Sequence, residues 1–271
     1  MIVRVLILWA VIALAIALSV LVHRRRKSDD GPEFQVVLGF VGSAYGLLLG
    51  LLVVFAVGHY SDTRREAQKE ASSLVALWDT VDAYPPETRD VVLHDVVCYM
   101  RSIVSEDWPA MERGSRFEDP RTLAYGDRVR DEIRRLPLDD DRQRSAYGRA
   151  SSLISDASSS RQQLLFFTEP EVPTVLWVLI YVGAFLLVFL LGTHYADRPR
   201  GRFTALGSAA MLLTVVVVVL TLLDNPFDFG ARVQPHSMRD AIDLVSVGND
   251  RTGGVFRPCQ ESPPPVTTAG G

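Results

Sequence analysis

Residues Phe34–Gly58 read FQVVLGFVGSAYGLLLGLLVVFAVG and contain no charged side chain. About 20 consecutive apolar residues are enough to cross the hydrocarbon core of a bilayer as an α-helix. Because lipid offers no partner to unpaired backbone groups, a spanning segment must form its hydrogen bonds internally, as a helix does. The stretch therefore predicts a transmembrane helix.

Three further windows have the same character: Ile2–Val22, Val172–Gly192 and Phe203–Leu223. The four windows hold 88 of the 271 residues and one charge, Arg4, so all 32 acidic and the other 27 basic residues occupy the remaining 183 positions. This segregation excludes a cytosolic single-domain enzyme. A net charge of -4 without a basic stripe also excludes nucleic acid as a partner. The lipid bilayer is the expected environment.

Residues 59–171 separate the second and third windows and carry 22 acidic and 16 basic side chains. Apolar residues recur there at steps of three and four, and no window alternates with period two, so helices rather than strands are expected. The expected helices are a continuation of the second span from Ser61 to the prolines after Tyr84, then Pro86–Glu106, Arg121–Leu136 and Asp141–Phe167. Asp107-Trp108-Pro109 is expected to end the helix Pro86–Glu106.

The predicted fold is therefore an all-α membrane protein, with four transmembrane helices and a helical domain inserted between the second and third. Residues 1–58 form the first transmembrane helix pair and 59–171 the extramembrane domain. Residues 172–223 form the second transmembrane pair. Residues 224–271 form a C-terminal segment whose end, Pro258–Gly271, is rich in proline and threonine and is expected to be disordered. The first window is expected to stay as an anchor, because its cations follow the apolar core instead of preceding it.

The short loops 23–33 and 193–202 carry seven cations in 21 residues, and four spans place both loops on one side of the membrane. Cytoplasmic loops are enriched in lysine and arginine. We therefore expect a multi-pass protein of the bacterial inner membrane. We expect the 59–171 segment to lie on the same side as both termini, and the loop charges predict that this side is extracytoplasmic. Arg64 and Arg65, close to the second span, reduce this charge bias.

The two cysteines, Cys98 and Cys259, fall on the same side of the membrane in this topology. In an oxidising compartment they could form a disulfide, and in the cytoplasm they would be free thiols. A third interpretation, one half-buried helix cysteine and one tail cysteine without a bond, fits the sequence equally well.

No pattern in the chain indicates catalysis, a cofactor or a metal. The sequence contains no nucleophile elbow and no phosphate-binding glycine loop. No pair among the five histidines has the spacing of metal ligands on a helix face. We therefore expect neither an enzyme nor a cofactor. The span interiors lack ionisable groups, which argues against a pump or a coupled transporter and leaves an uncoupled pore or no transport.

The second span carries the strongest internal pattern. Small residues four apart lie on nearly one face of a helix and allow another backbone to approach closely. This face is interpreted as a helix-packing or oligomer seam, or as part of a pore-lining helix whose bulky aromatic residues form constrictions. The candidates are Gly39, Phe40, Gly42, Tyr45, Gly46, Gly50 and Phe55.

The fourth span ends in Leu223-Asp224-Asn225-Pro226-Phe227, which is expected to form a turn at the membrane interface. A carboxylate at the C-terminus of a helix opposes the helix dipole. Asp224 therefore needs a further reason, such as an arginine partner or an unwinding turn. Asn225 before Pro226 fits such a turn.

These features together resemble the bestrophin-like family of bacterial membrane proteins, over roughly residues 35–235. The motifs that carry the resemblance are Gly39–Gly50, Arg65-Glu66-Ala67, Ala76-Leu77-Trp78, Glu106-Asp107-Trp108-Pro109-Ala110 and Leu223-Asp224-Asn225-Pro226-Phe227. Bestrophins are pentameric anion channels whose second span lines the pore with apolar side chains. The resemblance thus implies a homo-oligomer that conducts small anions. It also implies a cytoplasmic 59–171 segment, which is opposite to the charge argument.

Two hypotheses for the function follow. The first is an oligomeric anion channel with the second span lining the pore. The second is a membrane-anchored sensor or interaction module that works through residues 59–171. The oligomeric state distinguishes them, because a channel needs a ring of subunits around an axis.

Overall fold

The protein was analysed as a computed structural model that describes residues 2–25, 32–168, 172–195, 199–224, 227, 233–252 and 259. Helices account for all of the regular secondary structure in these residues, as the sequence predicts. They are α1 (Ile2–Arg25), α2 (Pro32–Val81), α3 (Pro86–Ser102), a π-helical turn (Ile103–Asp107), α4 (Trp108–Glu112), α5 (Pro120–Arg134), α6 (Asp141–Phe166), α7 (Thr174–His194), α8 (Pro199–Leu223) and α9 (His236–Thr252).

The chain divides into two compact units. The first comprises Met1–Tyr60 and Pro170–Asn225, and the second comprises Ser61–Glu169 and Pro226–Gly271. The helix α2 is continuous from Pro32 to Val81 and contributes its first part to one unit and its second part to the other. The C-terminal residues, predicted as a segment of their own, therefore group with Ser61–Glu169.

Among the described residues, four helices are long and apolar enough to cross a membrane, as predicted, and they contribute to the first unit: α1, the first part of α2, α7 and α8. Each contributes a buried stripe at steps of three and four, which is the pattern of one helix face packed against neighbours. The stripes are Leu8, Ile12 and Ala15 of α1, Tyr45, Leu49, Leu52 and Ala56 of α2, Ile180, Ala184 and Val188 of α7, and Leu213, Val217 and Leu220 of α8.

Two glycines of α7 allow close helix packing within this unit. A Cβ atom at Gly183 would collide with the ring of Tyr45, and one at Gly192 would collide with the hydroxyl of Ser19. A larger residue at either position would have to push α2 or α1 away. The glycines therefore fix how closely α7 approaches its neighbours, as small residues do between membrane helices.

The second unit has a helix boundary that the sequence places wrongly. Asp107-Trp108-Pro109 does not end the helix, which continues from α3 through the π-helical turn into α4 and ends at Glu112. The Trp108 N–H donates to the carbonyl of Ile103, one residue further back than in an α-helix. Pro109, which has no N–H, occupies the first turn of α4, where its missing donor costs least.

The helix α9 is a second difference from the sequence prediction, which assigned no helix to the tail. Met238, Ala241 and Val245 are buried at steps of three and four, a helical pattern that the short length of the segment obscured. Cys259 forms a disulfide with Cys98 of α3, with a Cα–Cα distance of 5.6 Å. Of the three interpretations of the two cysteines, the structure therefore agrees with the disulfide. The predicted disorder of Pro258–Gly271 lies outside the described residues, apart from Cys259.

Candidate functional site

The membrane part of α2 buries only one side of its circumference. Tyr45, buried among its neighbours, donates its hydroxyl to the carbonyl of Ile180 at 2.7 Å. On the remaining surface, large apolar side chains are exposed: Phe40 by 73%, Leu47 by 78% and Phe55 by 52%. Most of this helix therefore faces outward from the unit to which it belongs.

The three aromatic candidates do not share a face. Phe40 and Phe55 are 15 residues apart, which at 3.6 residues per turn brings them within about 60° of each other around the helix. Tyr45 is about 140° away from Phe40 by the same geometry, and its side chain packs on Gly183. Tyr45 is thus a helix-packing residue inside the unit, and Phe40 and Phe55 are the aromatic side chains that project outward.

The glycine stripe of α2 also faces outward over most of its length. A Cβ atom added at Gly39, Gly46 or Gly50 would meet no other atom within 4 Å, and one at Gly42 would meet only the side chain of Leu187, at 3.7 Å. Of the four, only Gly42 lies near a neighbouring helix of its own unit. The stripe leaves a strip of bare backbone available to a helix from outside the unit.

Asp224 has the arginine partner that its position requires. Its Oδ2 lies 2.6 Å from Nη1 of Arg4, and its Oδ1 accepts the backbone N–H of Val172 at 2.9 Å. Asp224 is buried, while Arg4 stays partly exposed and places its guanidinium 4.1 Å from the ring centre of Trp177. The only charge inside the four apolar windows is therefore neutralised by the carboxylate at the end of the fourth span.

The other residues of the predicted interface turn divide in two groups. Asn225 and Pro226 lie outside the described residues. Phe227 is fully buried in the second unit, where its ring meets that of Trp108 edge-on at 5.8 Å between centroids. The Trp108 indole N–H also donates to the carbonyl of Val233 at 3.0 Å. Phe227 is thus a core residue of the second unit.

A buried ionic cluster in the second unit was missed in the sequence. Arg161 of α6 donates from Nε to Oε1 of Glu70 on α2 at 2.9 Å, and its Nη2 lies 2.8 Å from the same oxygen as an ion-pair contact. Its Nη1 lies 3.9 Å from Oδ2 of Asp107, whose Oδ1 accepts the Asp119 N–H at 2.7 Å. Arg161, Glu70 and Asp107 are all buried.

The acids of this cluster outnumber the cation. Burial raises the pKa of Glu70 to about 7, although Arg161 opposes the rise. Burial likewise raises the pKa of Asp107 and of Glu118, again against the attraction of Arg161. Burial alone would lower the pKa of Arg161, but the surrounding acids more than offset it, so that pKa is raised. The cluster holds a permanent cation beside carboxyl groups that retain protons unusually well.

The sequence did contain a signal for this cluster. Glu70 stands three residues after Ala67 and four before Leu74, and Arg161 stands four after Ala157 and three before Leu164. Each charged residue therefore occupies a position on the apolar stripe of its helix. A charge on a core-facing stripe indicates a buried partner, because an unpaired buried charge is too costly.

The sequence of the chain matches the Bestrophin-like domain over residues 5–238. The chain belongs to the Bestrophin-like family. No curated protein sequence matches it.

Solved structures with a similar fold include two variants of a bacterial bestrophin homologue from Klebsiella pneumoniae. Each is 13% identical, with a TM-score of 0.64; the matches cover 92% and 93% of this chain and 99% and 98% of the other. A variant of a membrane protein is 15% identical, with a TM-score of 0.62, over 92% of this chain and 98% of the other. At these identities the likeness concerns the fold. The chain is a membrane protein with the bestrophin fold along nearly its whole length.

Proposed function

We propose that this chain is the subunit of a homo-oligomeric anion channel whose second span lines the pore. The observation that carries the proposal is the outward surface of α2, which combines a bare glycine strip with exposed aromatic residues. A strip of glycine offers lipid little to pack against but allows another helix to approach closely. Membership of the Bestrophin-like family supports the choice of a channel.

Within such an assembly, the glycine strip of α2 packs against the neighbouring subunit. Phe40 and Phe55, which share a different sector of the helix, point toward the pore axis and form apolar constrictions that gate by excluding water. The four apolar windows contain no acidic residue and one cation, Arg4. Because Phe34–Gly58 contains no charged side chain and Arg4 is paired with Asp224, the proposed pore-lining span offers no charge with which to couple conduction to protons, and anions would move passively.

Planar-bilayer recording of the purified protein tests this function. Anion-selective single-channel currents are expected, with larger conductance or longer openings in Phe40→Ala and Phe55→Ala. Leu6→Ala, which shortens an exposed apolar residue of α1, is the control and should behave as the unchanged protein. Absence of current with several anions and voltages, from protein whose ring-shaped assembly has been verified, would refute the channel.

We further propose that the second unit lies on the extracytoplasmic side of the bacterial inner membrane. The disulfide between Cys98 and Cys259 supports this side, because thiols stay reduced in the cytoplasm. The cations of the two short loops support it independently. Ser152, an exposed position of α6, provides a test: a Ser152→Cys variant should react with a membrane-impermeant maleimide in intact cells. Labelling only after cell lysis would place the unit in the cytoplasm.

A cleft of about 680 Å³ between α5 and α6 favours a second function, that of a sensor or interaction module. Arg130 and Arg134 line it together with several serine hydroxyls of α6, and Ile133 and Ile154 supply an apolar wall. Ligand sites commonly combine such a wall with a few polar groups. A monomer or dimer by native mass spectrometry would favour this function, whereas a larger ring favours the channel.

A further inference from the structure

The first unit contains a groove between α1 and α8. Its volume is about 740 Å³, and its lining is almost entirely apolar, including Trp9, Ile16, Leu206 and Met211. Gly207 lies in this lining, and a Cβ atom added there would meet nothing within 4 Å. The groove is therefore open above the glycine, on a side of the unit formed by the first and fourth spans.

The length of the groove matches one leaflet of a bilayer. From Trp9 to Val20 the helix α1 rises about 16 Å, and from Arg202 to Val215 the helix α8 rises about 20 Å, at 1.5 Å per residue. Half of the hydrocarbon core measures about 15 Å. Since α1 ends and α8 begins in the short loops, the groove runs from that membrane surface inward to about the middle of the bilayer.

One cation marks the surface end of the groove. Arg202 lines it and donates from Nη2 to the hydroxyl of Ser19 at 3.2 Å. Ser19 is fully buried and in turn donates to the carbonyl of Ile16 at 2.8 Å. Arg202 is thus anchored to α1, yet it forms no ion pair with a carboxylate among the described residues.

We propose that this groove binds an anionic phospholipid, with one acyl chain along the apolar lining and the headgroup phosphate on Arg202. Basic residues between membrane helices at the cytoplasmic surface are typical contacts of anionic headgroups. Arg24 and Arg200, both exposed at the same surface, add to the positive potential there. The proposal does not depend on conduction by the protein.

Charge favours a lipid over a second copy of the chain as the occupant. A helix from another copy would fill the apolar part, but a carboxylate for Arg202 would have to come from outside its apolar window, from an acid of the short loops such as Asp29 or Glu33. A phospholipid supplies both components, an acyl chain of leaflet length and an anion at its end. A zwitterionic lipid would fill the groove equally well but would gain less from the guanidinium.

Native mass spectrometry with added phosphatidylglycerol or phosphatidylcholine tests the site. The unchanged protein should retain phosphatidylglycerol about five- to tenfold more tightly, as expected for one well-placed cation at a membrane surface. Arg202→Gln should abolish this preference and leave phosphatidylcholine binding unchanged. Arg200→Gln, which removes an exposed cation at the same surface outside the groove lining, is the matched control and should keep most of the preference.

Gly207→Leu tests the acyl-chain part separately. A Cβ atom there meets nothing within 4 Å, and the leucine side chain would take up groove volume that an acyl chain needs, so retention of both lipids should fall while the thermal midpoint stays within a few degrees. Equal retention of the two lipids by the unchanged protein, or an undiminished preference in Arg202→Gln, would overturn the proposal. Loss of the oligomer in Gly207→Leu would also overturn it, because the groove would then be a subunit interface.

Discussion

Replacing Arg161 with methionine removes a cation from between two buried carboxylates and should strongly destabilise the second unit. Methionine keeps much of the length and volume of the side chain, so the change is mainly in charge. Arg161 contacts Glu70 at 2.8 and 2.9 Å and Asp107 at 3.9 Å, with all three side chains fully buried. Removing one member of such a group costs about 3–5 kcal/mol, because a buried charge is left without compensation. For a chain of this size the midpoint temperature should fall by about 6–20 °C.

The penalty should depend on pH, with a sign that follows from Glu70. Its pKa in the folded protein is raised from 4.5 to about 7 by burial, so the folded state holds this proton longer than the unfolded state. The stability that the group contributes is complete below pH 4.5 and is lost as pH rises through 7, a change of about 3 kcal/mol. Without Arg161 the carboxyl groups hold their protons even longer. The Arg161→Met penalty should therefore be smaller at pH 5 than at pH 8.

Thermal unfolding in nanodiscs, followed by tryptophan fluorescence at pH 5 and pH 8, measures both effects. Trp108 is buried in the second unit and reports its unfolding. Glutamine does not titrate, so Glu70→Gln lacks the stability loss that Glu70 causes as the pH rises. The midpoint temperature of Glu70→Gln minus that of the unchanged protein should therefore be larger at pH 8 than at pH 5. Arg144→Met removes an exposed ion pair to Asp141 on the same helix and should shift the midpoint little, because exposed pairs contribute about 0–1 kcal/mol. If Arg161→Met behaves like Arg144→Met, or its penalty is equal at both pH values, the reasoning is refuted.

Three further variants test other contacts. Cys98→Ser should lower the midpoint temperature by about 4–16 °C, as expected for a lost disulfide worth about 2–4 kcal/mol, and a reducing agent should bring the unchanged protein to the same value. Asp224→Asn keeps an acceptor for the Val172 N–H but removes the charge that Arg4 contacts, so a loss of about 1.5–3 kcal/mol is expected by thermal unfolding. A Cβ atom added at Gly46 meets no atom within 4 Å, so Gly46→Leu should break the proposed oligomer without lowering the stability of the subunit, as measured by native mass spectrometry and thermal unfolding; an intact oligomer would contradict the proposed seam.

The four spans and the continuation of the second span could be predicted well, because a helix that crosses lipid must be a continuous run of about 20 apolar residues. The sequence predicted α5 and α6 within two residues for a similar reason: their apolar stripes repeat over several turns. The helix α9 was missed because its stripe is only two turns long and stands in a tail rich in turn residues. The pattern of Met238, Ala241 and Val245 is visible only once the partner surface is known.

The functional residues were harder to predict than the fold, since their roles depend on which face of α2 is buried. Tyr45, Phe40 and Phe55 are equivalent as sequence, yet one donates a buried hydrogen bond to Ile180 and the other two project outward. Only the positions of Gly183 and Ile180 on α7 decide between them. The partner of Asp224, by contrast, could be anticipated, because Arg4 is the only charge inside the apolar windows.

The family resemblance implies a cytoplasmic second unit, whereas the loop cations and the disulfide of this chain favour an extracytoplasmic one. The contacts that hold the first unit together, such as Arg4 with Asp224 and Tyr45 with Ile180, are the same whichever side the second unit occupies. A fold can therefore be retained while its orientation reverses. Orientation is instead set by cations in the short loops, which act during insertion. The bond between Cys98 and Cys259 depends on the redox compartment, which acts after insertion. Two unrelated causes thus predict the same extracytoplasmic side, and the labelling of Ser152→Cys tests both at once.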